Sequence, residues 1–181
     1  MLDRAAESVL RVRDRIPVHR SALVALSGVD ASGKGYMAAR LAAALEAQGQ
    51  RTAVLGVDGW LNLSCVRFDP ERPAETFYER AIRYEEMFAR LVLPFRDART
   101  CRVVTDYTEE TATAYRSHTY AFGDADVILL EGIFLLKRAW RAYYDLSFWV
   151  DCSFETALER AVRRGQEGLP PPGTMRAFRT I

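Results

Sequence analysis

Residues 26–41 read LSGVDASGKGYMAARL: the apolar end of a strand, a glycine loop, a lysine and the start of a helical pattern. The segment matches G-x-x-x-x-G-K, with the strand and the helix that this motif requires on either side. Gly28 and Gly33 allow the backbone to curl so that successive N–H groups point inward at phosphate oxygens. The helix start adds its positive dipole end, and Lys34 would reach the β- and γ-phosphates of a nucleotide. The stretch predicts a phosphate-binding loop.

The residue after Lys34 departs from the usual form of such loops. They carry a Ser or Thr hydroxyl there that binds Mg²⁺, whereas this chain has Gly35. Losing a polar contact with a charged centre costs about 1.5–3 kcal/mol, and glycine near a helix start costs up to about 1 kcal/mol more. Together these costs could lower activity by roughly one to three orders of magnitude. Water can take the place of the hydroxyl, because Mg²⁺ keeps several waters in such sites. We expect weaker metal binding but an intact phosphate cradle.

Strand-like and helix-like segments alternate along the chain. Apolar runs predict strands at 22–28, 51–58, 101–107, 126–132 and 146–151. Helical spacing predicts helices at 34–47, 74–93, 134–143 and 154–164, with Pro94 ending the second of them, and an N-terminal helix within 1–18. This alternation predicts an α/β fold in which helices flank both faces of a parallel sheet.

Four acidic residues follow predicted strands: Asp58, Asp106, Glu131 and Asp151. Because ligands bind at the carboxyl ends of parallel strands, these side chains are expected at the same edge as the glycine loop. Carboxylates beside a phosphate site can hold Mg²⁺ and accept a proton from a hydroxyl. Capping of turns and helices is the plainer interpretation of each acid, and it is weaker for Asp58 and Glu131, which follow long apolar runs.

The bulk composition predicts one globular domain over residues 1–181. Hydrophobic residues make up 49% and charged residues 27% of the chain, and the net charge of +1 indicates neither a nucleic-acid nor a membrane partner. The three cysteines lack metal-site spacing and are interpreted as reduced thiols of a cytoplasmic protein. The most apolar segment, 125–136, is too short to span a bilayer, and the N-terminus lacks the apolar core of a signal peptide.

The chain resembles the uridine-kinase-like group of P-loop kinases, whose relatives include phosphoribulokinase and bacterial pantothenate kinase. The resemblance covers nearly the whole chain after its first predicted helix. It rests on the order and spacing of six pieces: GVDASGK, VDGWL, FDPERPAETFYERAI, TDYT, EGI and VDCSFETALERAVRRG. It implies a P-loop NTPase-type three-layer fold with an acceptor-binding region at 60–120 and a short helical lid at 154–172.

The resemblance also implies an activity, which is ATP-dependent phosphoryl transfer to a hydroxyl of a small-molecule acceptor, with ATP and Mg²⁺ as cofactors. A nucleoside such as uridine is the first candidate acceptor, and a pantothenate-like or sugar-phosphate acceptor is the next. A nucleotide-binding regulatory protein without transfer activity is the alternative. Gly35 favours it, as does Gly165, which stands where the family's lid carries an aspartate.

Residue roles follow from the resemblance. Asp58 would act as the general base or orient the acceptor hydroxyl, and Glu131 would bind Mg²⁺ together with Asp58. Arg160 and Arg164 would clamp the transferring phosphoryl group, with Arg163 as a competitor, although a solvated basic helix face explains the same arginines. The predicted nucleotide contacts are Gly28, Asp30, Ala31, Ser32, Gly33, Lys34, Gly35 and Tyr36.

The predicted acceptor pocket is lined by Trp60, Asp106, Tyr107, Tyr115 and His118. Core packing is an equally good interpretation of the aromatic residues, and His118 could be a surface residue without a task. The printed sequence ends where the family continues through another strand. A sheet edge left open there would be covered by a partner chain, so a homo-oligomer is an expectation of the sequence.

Overall fold

The computed structural model describes residues 1–165. In chain order its strands are β1 (Ala22–Ser27), β2 (Thr52–Gly56), β3 (Cys101–Tyr107), β4 (Arg116–Phe122), β5 (Val127–Gly132) and β6 (Leu146–Trp149). Its helices are α1 (Leu2–Arg13), α2 (Lys34–Glu46), α3 (Ser64–Arg67), α4 (Pro73–Arg80), α5 (Tyr84–Met87), α6 (Leu93–Ala98) and α7 (Phe154–Arg164). Short 3₁₀ turns cover Asp58–Trp60 and Arg141–Tyr143, and a π-helical turn covers Phe88–Val92.

Four parallel strands form the central sheet in the order β2-β5-β1-β6. Strand β1 is buried along its whole length because helices cover both faces of the sheet. Val24 and Leu26 pack with α1 and α2 on one face, and Leu23 and Ala25 pack with the segment from Trp60 to α6 on the other. The predicted α/β fold with a flanked parallel sheet is confirmed.

The strand β3 was predicted to belong to this sheet, and that prediction is wrong. It pairs antiparallel with β4 in a separate two-stranded sheet, where Asp106 lies opposite Ser117. Asp106 therefore does not terminate a strand of the parallel sheet. Strand β4 was not predicted. Its alternate residues His118, Tyr120 and Phe122 lie on one face of the strand and are partly buried, while the residues between them are exposed.

The single helix predicted over 74–93 is interrupted between α4 and α5. Leu61 and Ile82 form an isolated bridge, while the Asn62 and Arg83 amides donate to carbonyls of the facing segment at 2.8 and 2.9 Å. These bonds replace the helical ones. Pro94 does not end a helix either, because it lies in the first turn of α6, just after the π-helical turn, where its missing N–H breaks no helical bond.

The helix predicted over 134–143 is also absent, apart from the 3₁₀ turn at its end. The Tyr84 hydroxyl donates to the Ile133 carbonyl, and the Tyr144 hydroxyl donates to the Leu135 carbonyl at 3.1 Å. Phe134 between them has a φ of +56°. Two carbonyls bound by side chains and a left-handed residue explain why helical spacing did not produce a helix here.

The terminal helices are close to their predictions. Helix α1 is shorter than the predicted 1–18. Helix α7 has the predicted bounds and is capped by Ser153 Oγ, which accepts from the Thr156 amide at 3.2 Å. The part of the predicted lid beyond residue 165 lies outside the described residues. Within 1–165, no helix is both long and apolar enough to cross a bilayer.

Candidate active site

The phosphate-binding loop lies between β1 and α2, as the sequence predicts. Ala31 and Gly33 have positive φ values of 54° and 95°, and Gly33 precedes the first turn of α2. A Cβ atom on Gly28 would lie 2.7 Å from the Val150 carbonyl oxygen and 2.8 Å from Ser32 Oγ. Glycine is therefore required at both ends of the loop, at Gly28 by space and at Gly33 by backbone conformation.

Lys34 is held inside the loop. Its side chain is 8% exposed, and Nζ donates to the Val29 carbonyl at 2.8 Å. Burial lowers the pKa of Lys34, and the carboxylates of Asp30, Glu131 and Asp58 oppose this effect. The lysine is thus surrounded by acidic groups from three different segments.

Asp58 and Glu131 come to this lysine from neighbouring strands. Glu131 lies on β5 between Leu26 of β1 and Gly56 of β2, and Asp58 opens the 3₁₀ turn just after β2. Their placement at the loop edge confirms the strand-end prediction for these two acids. Asp151, which follows β6, also comes after a strand of the parallel sheet.

Both carboxylates have a raised pKa. For Glu131 the pKa is raised to about 7, first by burial and then by repulsion from Asp58, against the attraction of Lys34. The Asp58 side chain is open to solvent, and partial loss of hydration raises the pKa of its carboxyl, against the attraction of Lys34. A proton or a cation would relieve the repulsion that Asp58 exerts on Glu131.

Gly35 faces Glu131. A Cβ atom at Gly35 would lie 3.9 Å from Glu131 Oε1, and one at Gly56 would lie 3.0 Å from the same oxygen. The Glu131 carboxylate therefore occupies a space bounded by two glycines. A hydroxyl at position 35 would point toward it.

The donor set fits Mg²⁺ bound together with phosphates. No group of three or more His, Cys, Asp or Glu side chains that could hold a metal occurs in the part of the chain that the structure describes. Magnesium, however, keeps several waters and is commonly bound through one or two carboxylates plus substrate phosphates. Asp58 and Glu131 supply that number of carboxylates next to the loop.

Helix α7 brings two arginines to the loop. Arg160 Nη1 donates to the Ser32 carbonyl at 3.1 Å and lies 3.6 Å from Cys152 Sγ. Arg164 Nη2 lies 3.1 Å from Asp30 Oδ2. Arg163, on the same helix, makes no hydrogen bond or ion pair with the loop within residues 1–165. Of the three predicted arginines, Arg160 and Arg164 are the ones that reach the phosphate-binding loop.

The residues predicted for the acceptor pocket are distributed unevenly. Trp60 is fully buried, with its ring 5.7 Å from that of Tyr120 and the Arg83 guanidinium 5.3 Å from its centroid. The Tyr115 hydroxyl donates to Asn62 Oδ1 at 3.1 Å, and Arg83 lies 4.8 Å from its ring centroid. Trp60 has no exposed surface that could contact an acceptor.

Tyr107 and His118 lie together on the two-stranded sheet, with ring centroids 4.9 Å apart. A Cβ atom on Gly59 would lie 2.5 Å from Tyr107 Cε2 and 2.7 Å from Tyr120 Oη. The sheet therefore packs directly on the turn that carries Asp58. Gly59 and Tyr120 were not predicted as site residues. The period-two alternation of His118, Tyr120 and Phe122 is the sequence signal for β4.

Asp106 has an exposed side chain, and its backbone carbonyl accepts from Arg83 Nη2 at 2.7 Å. Arg83 was also missed. Its Nη1 donates to Glu86 Oε2 at 2.5 Å. This partly buried arginine thus ties the hairpin strand β3 to α5, and it also contacts the rings of Trp60 and Tyr115.

No protein-family model matches the chain, and no curated protein matches it. Solved structures that share its fold include the following two. A possible uridine kinase from Bacillus stearothermophilus has a TM-score of 0.72 at 17% identity, over 98% of this chain and 89% of that one. A candidate fructose transport system kinase from Silicibacter sp. TM1040 has a TM-score of 0.69 at 24% identity, over 96% and 87%. The chain thus has the α/β fold of these two structures.

Proposed function

We propose that this chain transfers the γ-phosphate of ATP to a hydroxyl group of a small-molecule acceptor. The observation that supports the proposal is the convergence at the loop: Lys34 lies close enough to Asp58 and Glu131 for their charges to affect its pKa. The two lid arginines contact the same loop. The two structures of similar fold are described as kinases, which is consistent with this chemistry.

The loop and the lid would bind and neutralise the phosphates. Inward N–H groups and the start of α2 bind phosphate oxygens, and Lys34 exchanges its bond with the Val29 carbonyl for the phosphate chain. Arg160 and Arg164 leave their loop partners to contact the transferring group. Charges fixed in this way stabilise the transition state, which is the main protein contribution in phosphoryl transfer.

Asp58 would accept the proton of the acceptor hydroxyl. Its side chain is open to solvent, so an acceptor can reach it. Its raised pKa brings the carboxylate closer to the pH at which a general base works best. Glu131 and Asp58 would also hold Mg²⁺, which, when bound, would offset the negative charge of the phosphates.

A nucleoside is the first candidate acceptor. Tyr107 and His118 present rings beside the turn that carries Asp58, and aromatic rings suit the stacking of a base. One similar structure is a possible uridine kinase. The other is a candidate fructose transport system kinase, so a sugar belongs in the same test as a pantothenate-like or sugar-phosphate acceptor.

A nucleotide-binding protein without transfer activity is the second candidate. Gly35 favours it, because the position that faces Glu131 has no hydroxyl. Gly165 ends α7 in the left-handed conformation and places no acid after the lid arginines. This candidate predicts ATP binding without acceptor-dependent release of ADP.

A coupled ADP-release assay with Mg·ATP distinguishes the kinase from the nucleotide-binding protein without transfer activity. Uridine, cytidine, pantothenate, fructose and a sugar phosphate serve as acceptors, with Asp58→Asn as the test variant and the exposed Glu46→Gln as the matched charge control. We expect acceptor-dependent ADP release that Asp58→Asn lowers by about 10²–10⁴-fold. Measured ATP binding together with silence on every acceptor would support the regulatory candidate instead.

A further inference from the structure

The phosphate-binding loop carries an acid of its own. Asp30 lies three positions before Gly33, and both of its carboxylate oxygens contact Arg164 Nη2, Oδ2 at 3.1 Å and Oδ1 at 3.4 Å. The pair is partly open to solvent, with 36% of the Arg164 side chain and 41% of the Asp30 side chain exposed. The carboxylate therefore forms an ion pair with one of the two arginines of α7 that reach the loop.

The same carboxylate acts on Lys34. Burial lowers the pKa of Lys34, and among the acidic groups that oppose this effect Asp30 has the largest influence, ahead of Glu131 and Asp58. Asp30 also raises the pKa of Asp58, after burial. Asp30 is thus close to both the cation of the loop and the proposed base, as well as to the lid.

We propose that Asp30 is an internal counter-ion that competes with the nucleotide phosphates for Arg164. A phosphate chain entering the loop would meet like charge, and repulsion between like charges is stronger beside a partly buried loop than in bulk water. Binding then requires Arg164 to exchange one anion for another. Asp30 therefore disfavours the binding of a metal-free nucleotide most. It disfavours the magnesium complex least, because the net negative charge of that complex is smaller by two.

The inference rests on the proposed nucleotide site but not on the acceptor reaction, so equilibrium binding of ADP tests it. Asp30→Asn keeps the shape of the side chain and removes its charge. Glu159→Gln is the matched control, because it removes the same charge from an exposed position of α7. Titrations are carried out with ADP in EDTA and with ADP in excess Mg²⁺.

We expect Asp30→Asn to bind metal-free ADP about two- to fivefold more tightly than the wild type, as befits a partly exposed pair. The gain is smaller with Mg·ADP and shrinks as salt is raised from 50 to 500 mM. Glu159→Gln stays within the error of the wild type. In an Arg164→Gln background the gain from Asp30→Asn is reduced, because the cation for which the two anions compete is absent.

The outcomes separate this inference from the proposed function. If the wild type binds ADP and Asp30→Asn binds it equally or more weakly, Asp30 supports the loop and is no competitor, and the inference is overturned while the kinase proposal stands. If neither protein binds ADP and thermal unfolding shows both folded, both proposals fail. A gain that is independent of salt and of Arg164 also overturns it.

Discussion

Glu131 Oε1 lies 3.9 Å from the position that a Cβ atom on Gly35 would occupy. A serine hydroxyl at this position would therefore point at a carboxylate that is proposed to hold Mg²⁺. We predict that Gly35→Ser tightens Mg·ATP binding or raises turnover by about tenfold or more, because a polar contact with a charged centre contributes roughly 1.5–3 kcal/mol. Gly35→Ala adds the Cβ atom without the hydroxyl. Equal behaviour of the serine and alanine variants would show that position 35 has no role in metal binding.

The raised pKa of Glu131 predicts a pH-dependent stability. The folded protein holds the Glu131 proton up to about pH 7, whereas the unfolded chain releases it near the ordinary glutamate pKa of 4.5. The contribution is therefore fully present below pH 4.5 and is lost as the pH rises to about 7. Urea unfolding in EDTA at a series of pH values measures this effect. The stability of Glu131→Gln should not fall between pH 4.5 and 7, so that the variant is more stable than the wild type at pH 8 by on the order of 1–3 kcal/mol. Parallel pH profiles of the two proteins would contradict the assignment.

The contacts of α7 predict unequal effects for its arginines. Arg160→Gln and Arg164→Gln should each lower the phosphoryl-transfer rate by about 10²–10³-fold, as for the removal of one preorganised donor. Arg163→Gln should lower it far less, because Arg163 makes no hydrogen bond or ion pair with the loop among residues 1–165. Single-turnover rates at saturating ATP provide the measurement. If all three variants lost a similar fraction of the rate, the total positive charge of the helix face would determine the rate, and the individual contacts of Arg160 and Arg164 would not.

The packing of the hairpin on the Asp58 turn predicts a steric effect. A Cβ atom on Gly59 would lie 2.5 Å from Tyr107 Cε2, so Gly59→Ala must displace the tyrosine or the turn. We expect a loss of about 1–3 kcal/mol in the free energy of unfolding, with reduced activity because the turn carries Asp58. Gly123→Ala is the control, since nothing lies within 4 Å of its added Cβ. Equal stabilities of the two variants in urea would contradict the packing.

Much of the parallel sheet could be predicted from the sequence because local signals define it. The strand β1, the loop and α2 follow from an apolar run, two spaced glycines and a helical pattern, and α7 begins at a serine cap. Lys34, Asp58 and Glu131 could be brought together because parallel strands end at one edge. Each of these inferences needs only the neighbouring residues and one topological rule.

The remaining features depend on contacts between distant segments. The interruption at Ile82 arises from bonding with residues 60–62, and the non-helical course of 134–143 arises from hydroxyls of Tyr84 and Tyr144. The resemblance placed Trp60 in the acceptor pocket, with core packing as the alternative, and the side chain packs on Tyr120 in the core. Helical or aromatic patterns cannot reveal such partners, since the decisive hydrogen bonds come from elsewhere in the chain.

The two sheets of the described region share no strand pairing. The hairpin β3–β4 meets the Asp58 turn through side chains and one backbone bond, from the Thr108 amide to the Gly59 carbonyl at 3.2 Å. The face proposed to select the acceptor is therefore a module that shares no strand with the central sheet and is held to the core by side chains, among them Val103, Tyr120 and Phe122. Residues of this module can diverge or be redesigned for new acceptors while the hydrogen bonds that shape the phosphate-binding loop stay intact.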